Sequence, residues 1–351
     1  MSKLQKTSIA AFILVITVIT LFGCGGKKVM TVGSASQLYK SGMEFYDNKK
    51  YTKAVESFQM IVYNYPGEAI VDTAQYYLAL SYFGNKDYAL AQVEFNRLIV
   101  NYPSSAYVLN AQFLKAVCFF EGTPKHYGLD QSDLEQAIKL FEDFIIDHPE
   151  SELMPDAQKY LLLARSRLAR KYYESGVVYM RINAPTAAKK YFQIVIDDYT
   201  STEYAPQAAF YKAESEMKLQ NYDDALRQFD NFVSVFPDHE WRDKALEKRK
   251  EAFFKSAEKA YADSNYAASI DIINDYLSEY KENDELTLKK AAFLSAEASF
   301  MNKDYTTART KFQSFIDDFA RNKRTRKAEK YLEEIAAILS RQTGNYDPNE
   351  S

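Results

Sequence analysis

The sequence predicts an all-α fold, a solenoid in which helical hairpins stack one after another. A string of the form Tyr-x-x-Ala-x-x-x-Phe recurs along the chain, as at Tyr51 to Phe58 and at Tyr88 to Phe95. The apolar stretch after each of these strings closes on Tyr-Pro, and the two prolines, Pro66 and Pro103, lie 37 residues apart. A fixed period of this length is typical of repeat proteins. Neither an alternating strand pattern nor a Gly-rich hairpin turn competes with the helical pattern.

The amino terminus has the three parts of a signal peptide. Lys3 and Lys6 supply the positive charge, residues 9–22 are apolar, and Cys24 follows shortly after them. The apolar run is shorter than the roughly 20 residues that a helix needs to cross a bilayer, which favours cleavage over a permanent span. We therefore predict a signal peptide at residues 1–23. An ordinary secretory signal that happens to precede a cysteine is the alternative.

The end of this segment predicts a lipid anchor. Residues Leu21 to Cys24 resemble a bacterial lipobox, and that resemblance implies acylation of Cys24 and cleavage before it. Several acyl chains on one residue hold a protein durably on a membrane. The next residue is Gly25 rather than an inner-membrane retention aspartate, which favours the periplasmic face of the outer membrane. Residues 24–36 are small and polar and predict a lipidated flexible tether. Apart from this covalent lipid, no cofactor is expected.

Five clear repeats are predicted within residues 37–240, each a helix-turn-helix unit of the tetratricopeptide type. The first helix of each unit carries a small residue where its partner crosses. The second helix carries an alanine, with a phenylalanine four positions later on the same face. The small residues are Gly42, Ala79, Ala116, Gly176 and Ala213, and the alanines are Ala54, Ala91, Ala137, Ala188 and Ala225. These positions should be buried where the two helices of a unit meet.

Residues 241–340 are predicted to add two weaker repeats and a capping helix. The sixth repeat has Ser269 and Ile273 in place of the alanine and the phenylalanine, whereas the seventh recovers Ala308 and Phe312. The departure from the pattern is therefore greatest in the sixth repeat.

The carboxy terminus is predicted to close the stack. The segment Thr325 to Leu339 reads as a capping helix that covers the last apolar face. The basic run Arg321 to Lys330 is interpreted as the solvated side of this helix, and contact with acidic protein or lipid surfaces is the alternative. Residues 341–351 are predicted to be a disordered tail.

The composition and the reactive side chains argue against an enzyme and against nucleic-acid binding. A formal net charge of -4 and a pI near 5.7 provide no basic field for phosphates. The three histidines, His126, His148 and His239, do not converge in sequence, and no metal-binding or catalytic motif is present. Cys118 lies in an apolar run and is expected to be a small buried hydrophobe.

The first helices of the first two repeats carry large side chains at helical spacing. In tetratricopeptide stacks the first helices line a groove that binds extended peptides. The candidate groove residues are Tyr39, Met43, Tyr46, Tyr76, Leu80 and Phe83. For each of them, packing within the core remains the alternative.

Two further features carry a closer resemblance. A loop interrupts the third repeat, and the fourth repeat has an extended first helix with the run Leu168 to Glu174. The loop residues concerned are Tyr127, Gly128, Asp130, Ser132 and Asp133. Together with the lipobox and the repeats, these features resemble the BamD family, also called ComL or YfiO, over about residues 24–240.

The resemblance implies a non-enzymatic lipoprotein scaffold of the β-barrel assembly machinery. Its amino-terminal repeats would bind unfolded outer-membrane β-barrel proteins through carboxy-terminal targeting peptides that end in an aromatic residue. Its later repeats would dock the periplasmic domains of a BamA-like insertase. Neither a small-molecule substrate nor nucleic acid is implied. Five repeats are usual in the family, so the repeats at residues 245–340 depart from it.

Two other functions remain open from the sequence. The first alternative is a different periplasmic repeat lipoprotein, such as one that coordinates cell-wall synthesis with envelope constriction or a pilotin that guides secretin assembly. Such a protein would lack the loop from Tyr127 to Asp133. A repeat-containing hydrolase would need a nucleophile, a base and an orienting group, and no such set is visible.

Overall fold

The computed structural model describes residues 34–280, 285–320 and 323–342, and this part of the chain forms fifteen helices without a strand. The all-α prediction is confirmed. The predicted signal peptide, Cys24 and most of the tether lie outside the described residues, as do residues 343–351 of the predicted tail.

The chain divides into two compact units, each of which is described by itself. The first unit comprises the residues up to Pro124 together with Ser132–Leu161. Its helices are α1 (Ala35–Asp47), α2 (Tyr51–Asn64), α3 (Val71–Gly84), α4 (Tyr88–Asn101), α5 (Val108–Gly122), α6 (Ser132–Asp147) and the start of α7 (Met154–Arg181). The boundary between the units falls inside α7, after Leu161. The predicted division into residues 37–240 and 241–340 stays a prediction.

The second unit comprises Lys125–Gln131 and the chain from Leu162 onward. After the remainder of α7, its helices are α8 (Pro185–Asp198), α9 (Tyr204–Lys218), α10 (Tyr222–Val235), α11 (Arg242–Ala262), α12 (Tyr266–Glu279), α13 (Glu285–Met301), α14 (Tyr305–Asp318) and α15 (Thr325–Gln342). Helix α7, at 28 residues, confirms the extended first helix of the fourth repeat.

Each hairpin is built around a small residue of its first helix and an alanine or serine of its second helix. Ala54 follows Gly42 by twelve positions, and the same spacing recurs in every repeat except the third. A Cβ atom added to Gly42 would lie 2.8 Å from Cε1 of Phe58, so only a residue without a side chain fits against this ring. Phe58 itself is fully buried. The predicted burial of the small residues is confirmed at all ten positions.

The two helices of a repeat are joined by a turn with a left-handed residue. In the first repeat the backbone amide of Lys50 donates to the carbonyl of Phe45, and the amide of Lys49 donates to the carbonyl of Tyr46. These two bonds satisfy carbonyls that the end of a helix would otherwise leave free. The residues with positive φ are Lys49, Lys86, Asn183, Gln220, Ser264 and Lys303, between 57° and 66°. The third repeat has its inserted loop at this place instead.

The two weaker repeats and the capping helix fold as predicted. Ser269 and Ile273 are fully buried in α12, where they take the places of the alanine and the phenylalanine. Helix α15 buries Ala328 and Ile335 against the core that Phe312 and Phe315 form on α14. The last apolar face is therefore covered by α15, which extends three residues beyond the predicted end.

Candidate functional site

Five tyrosines of the first unit form one group, called here the tyrosine cluster. Tyr39 and Tyr46 lie on α1, Tyr76 and Tyr77 on α3, and Tyr107 immediately before α5. The rings of Tyr46 and Tyr77 are 5.4 Å apart, and those of Tyr39 and Tyr77 are 6.3 Å apart. Tyr76 stacks on Tyr107 with the ring centroids 4.5 Å apart. Tyr39 and Tyr46 are seven residues apart on a helix, so they share one face.

The cluster rests on the buried core of the first repeat. The ring of Phe58 lies 6.0 Å from Tyr39 and 5.9 Å from Tyr77, onto which it stacks. Tyr76 is only 8% exposed, whereas Tyr39, Tyr46 and Tyr77 are half-buried. Each of these three side chains therefore has a part packed on the core and a part that water or a ligand can reach.

The structure brings together only some of the predicted groove residues. Tyr39 and Tyr46 belong to the tyrosine cluster, and Met43, on the same helix, packs against the same core. Leu80 and Phe83 pack against the core of the second repeat, with the ring of Phe83 5.3 Å from that of Tyr88. Their common role in a peptide groove stays a prediction.

Tyr77 and Tyr107 are cluster members that the sequence did not single out. Tyr77 lies two positions before Ala79, the small residue of its helix. It is therefore not on the helix face that packs against the second helix of the same repeat. It contacts Tyr39 and Tyr46, which belong to the preceding repeat. The dipeptide Tyr76-Tyr77 was the available signal, because adjacent helical residues point in different directions and so reach two sets of neighbours.

The environment of the cluster raises the pKa of four of its phenols. Burial raises the pKa of Tyr39, Tyr46 and Tyr77, and neighbouring phenols and Asp47 raise it further. Burial also raises the pKa of Tyr76, although a hydrogen bond with the side chain of Asn110 opposes this. Protonated phenols donate hydrogen bonds, and their rings offer flat apolar contact. The cluster therefore combines flat apolar faces with hydrogen-bond donors.

The inserted loop is seated on α7 within the second unit. The guanidinium of Arg170 lies 5.4 Å above the ring of Tyr127, which stacks on His126 with the centroids 4.8 Å apart. The backbone amide of Gly128 donates to Nδ1 of His126, and Nε2 of Gln131 donates to the carbonyl of His126. Contacts between an arginine and an aromatic ring are stabilising. The two regions that carry the family resemblance, the loop and the extended helix, thus touch each other.

The remaining loop residues of the prediction are on the surface. Asp130 is exposed, and Ser132 and Asp133 begin α6, where both are also exposed. Asp133 in the first turn is favourably placed toward the positive end of the helix dipole. Their functional role stays a prediction.

The first helices of the last three repeats present a different surface, called here the charged row. It consists of Glu214, Glu258 and Glu297, each directly after the small residue of its helix. Glu297 accepts from Nζ of Lys327 at 2.5 Å and from the hydroxyl of Tyr331 at 3.1 Å. Glu258 pairs with Lys255 at 2.6 Å. The row is therefore matched by cations of its own unit.

Two further properties of the described residues bear on the site. They contain no group of three or more histidine, cysteine, aspartate or glutamate side chains that could hold a metal ion. Among the helices of the same residues, none is both long and apolar enough to cross a membrane. Cys118 is 1% exposed, and burial raises the pKa of its thiol to about 12, so it is an unreactive part of the core.

Comparison with known proteins places most of the chain in one family. A family model described as YfiO, outer membrane lipoprotein, matches residues 32–224. The outer membrane protein assembly factor BamD of Rickettsia prowazekii is 30% identical over 240 residues, which cover 68% of this chain and 95% of that protein. The protein of the same name from Caulobacter vibrioides is 27% identical over 112 residues, 32% of this chain and 37% of that protein.

Solved structures of repeat proteins align over much of the chain with low scores. A tetratricopeptide repeat protein from Parabacteroides merdae is 14% identical, with 86% of this chain and 98% of that chain covered and a TM-score of 0.28. PilW, a type IV pilus biogenesis factor, is also 14% identical, with 74% and 99% covered and a TM-score of 0.30. Scores at this level support no inference about this chain.

Proposed function

The chain belongs to the YfiO family of outer membrane lipoproteins, and from this premise we propose that it is an assembly factor for outer-membrane proteins. We propose further that it acts as a non-enzymatic scaffold: its first unit binds barrel precursors and its later repeats dock a BamA-like insertase. Cys24, which the signal sequence presents for acylation, would hold it on the periplasmic face of the outer membrane.

The tyrosine cluster is the observation that supports precursor binding. Its half-buried rings, Tyr39, Tyr46 and Tyr77, combine apolar faces with protonated phenols. A targeting peptide that ends in an aromatic residue offers a ring next to its terminal carboxylate. The rings of the cluster would stack on the terminal side chain, and the phenols would donate to the carboxylate.

Peptide binding tests this part of the proposal. The full mature chain is titrated with a fluorescent peptide ending in Phe and with the same peptide ending in Ser. The double variant Tyr46→Ala, Phe83→Ala should bind the Phe-ended peptide about ten-fold or more weakly, because aromatic anchors carry much of the affinity in such contacts.

Tyr261→Ala is the matched control. Tyr46 packs edge-on against Tyr51 at 5.7 Å, and Tyr261 packs edge-on against Tyr266 at 5.4 Å, in the equivalent place of the sixth repeat. Loss of the Tyr261 ring should leave peptide affinity unchanged. Equal weakening by both changes, or equal binding of the two peptides, would contradict the groove. Loss of helical circular dichroism in the double variant would assign those side chains to the core instead.

The loop and α7 support the second part of the proposal, insertase docking. Both lie within the residues that the family model matches, and Arg170 lies over Tyr127 there. Tyr127→Ala removes this contact, whereas Leu129→Ala, at a residue 56% exposed, should not disturb the seating of the loop. Insertase recovered by affinity purification from membranes should fall with the first change alone. Unchanged recovery with Tyr127→Ala would separate the loop from docking.

Depletion in cells tests the assembly role as a whole. Folded outer-membrane barrels should decline as the protein is lost, because precursors would no longer reach the insertase. Steady barrel levels together with no insertase in the purified complex would refute the proposal. Cys24→Ser should release the chain from the outer-membrane fraction, and unchanged fractionation would refute the anchor.

A further inference from the structure

Three exposed apolar residues of the first unit occupy the same place in successive repeats. Tyr63, Val100 and Ile146 are each the fifth residue after the buried phenylalanine of a second helix, and they are 59%, 66% and 74% exposed. We call these three residues the apolar row. The equivalent residues of the four later repeats are Asp197, Ser234, Ser278 and Asp317, all polar and exposed.

The apolar row lies along one edge of the unit. The three residues come within the last turn of α2, α4 and α6. A hydrogen bond at 3.4 Å joins Nη1 of Arg97 to the hydroxyl of Tyr63, and Val100 follows Arg97 by three residues on α4. Residues three apart on a helix are neighbours on its surface. Tyr63 and Val100 are therefore close to each other on adjacent repeats.

The first described residue lies at the same end of the first hairpin as Tyr63. Helices α1 and α2 are antiparallel, because Gly42 lies against Phe58 and both Ala35 and Ile61 belong to one core cluster. The first residue of α1 is thus level with the last turn of α2, which carries Tyr63. Only residues 25–33 separate Cys24 from the first described residue, Ser34, and a chain of that length spans at most about 30 Å.

We propose that the apolar row rests on the lipid surface to which Cys24 is attached, so that the first unit is held with this edge against the membrane. The proposal rests on the acylation that the proposed function includes. Tyrosine and aliphatic side chains are favoured at the boundary between headgroups and acyl chains. Three such residues would bind a vesicle only weakly alone. The anchor keeps the edge within reach of the lipid, and the row then sets the orientation.

The contact should depend on apolar area rather than on charge. Arg97, which lies beside Tyr63 and Val100, is paired with Glu94 at 2.8 Å, and Asp147 and Glu150 lie near Ile146 in the sequence, so this edge is not a basic surface. The membrane contact should therefore persist at high salt, unlike that of a basic surface.

Single-cysteine labelling of the acylated full chain measures this contact. The thiol of Cys118 is buried and that of Cys24 is acylated, so a cysteine introduced at Val100 can be labelled alone with an environment-sensitive dye. The protein is reconstituted through its acyl chains into vesicles of phosphatidylethanolamine and phosphatidylglycerol. The dye at Val100 should shift to the blue and be quenched several-fold by spin-labelled lipid. Mass measurement of the amino-terminal peptide establishes acylation independently, so failure of the anchor is seen separately from failure of the row.

Two labelled positions serve as controls. Ser234→Cys places the dye at the equivalent position of the fifth repeat and should give no quenching. Val93→Cys places it on the exposed face of α4, seven residues and about 10 Å above Val100, and should also give none. Replacing Tyr63 and Ile146 by serine should reduce the quenching at Val100 several-fold, whereas Leu90→Ser should not.

Three outcomes would overturn the proposal. Equal quenching at Val100 and Ser234 would mean that the row has no preference for lipid. A shift at both Val93 and Val100 that requires added insertase would mean that a protein lies along α4. A shift that grows with the density of protein on the vesicle would mean that the edge binds a second copy of this chain.

Discussion

The first helices of the early and late repeats share one backbone pattern and differ in one side chain. The residue after the small position is Met43, Leu80, Val117 or Val177 in the first four repeats and Glu214, Glu258 or Glu297 in the last three. The spacing of twelve residues and the left-handed turn nevertheless occur in both regions. The repeat frame therefore fixes how helices pair, while the residue beside the small position can be apolar in one region and charged in the other.

Because of this difference, the aromatic surface is suited to binding a partner, whereas the charged surface contributes to the stability of its own unit. The rings of Tyr39, Tyr46 and Tyr77 are half-buried, so a partner can cover the part of each ring that is open, whereas Glu297 already contacts Lys327 and Tyr331. An apolar surface that is partly open gains free energy when a partner covers it. A charged surface that is already paired gains little from a new partner, because its existing contacts must first be broken.

The largest expected effect comes from removing a buried ring in each region. Phe58→Ala and Phe312→Ala should each lower the free energy of unfolding by about 3–5 kcal/mol, since both rings are fully buried. Phe58 supports Tyr39 and Tyr77, so its loss should also abolish peptide binding. Phe312 supports Tyr331, and its loss should leave binding intact. Urea unfolding and fluorescence anisotropy measure the two quantities. Equal loss of binding in both variants would show that affinity follows overall stability.

A smaller effect should follow when the apolar residue after the small position of an early repeat is replaced by the glutamate of the late repeats. Met43→Glu places a carboxylate beside Tyr39 and Tyr46, where it would be partly desolvated and would repel the terminal carboxylate of a peptide. Peptide binding should weaken by about 1–3 kcal/mol. Met43→Leu keeps the apolar contact and should bind normally, and Glu258→Met should create no new binding. Undiminished affinity in Met43→Glu would remove this face from the groove.

The contribution of the charged row should be smaller still. Glu297→Gln keeps the shape and removes the charge that Lys327 contacts, so the free energy of unfolding should fall by about 1 kcal/mol. Because the lysine is 57% exposed, the loss should shrink in concentrated salt. Chemical unfolding at low and high salt measures this. A loss that is independent of salt would contradict the ion pair with Lys327 as its source.

The smallest effect should be the same in both regions. Lys49→Gly and Lys303→Gly each relieve a side chain held at positive φ, and each should raise the free energy of unfolding by about 0.5–1 kcal/mol. Thermal unfolding of the two variants gives the comparison. A gain at only one turn would show that the repeats do not share the frame assigned to them.

Much of the frame was predictable because it repeats within one hairpin. The pairs such as Gly42 with Ala54 follow from spacing alone, and even Ser269 and Ile273 occupy the expected places. Contacts between repeats were not predictable in this way. Tyr77 joins the cluster through residues of the preceding hairpin, and Arg170 of the fourth repeat contacts Tyr127 in the inserted loop of the third. Such contacts depend on how successive hairpins stack, and the repeat period in the sequence does not predict that stacking.

The third repeat shows where this chain can be lengthened at little cost. Its inserted loop takes the place of the left-handed turn, yet Ala116 and Ala137 on either side remain fully buried. The six turns that keep a positive φ are thus natural points for grafting. A new segment placed at Lys86 or Gln220, for instance, would enter where this fold has already accepted one.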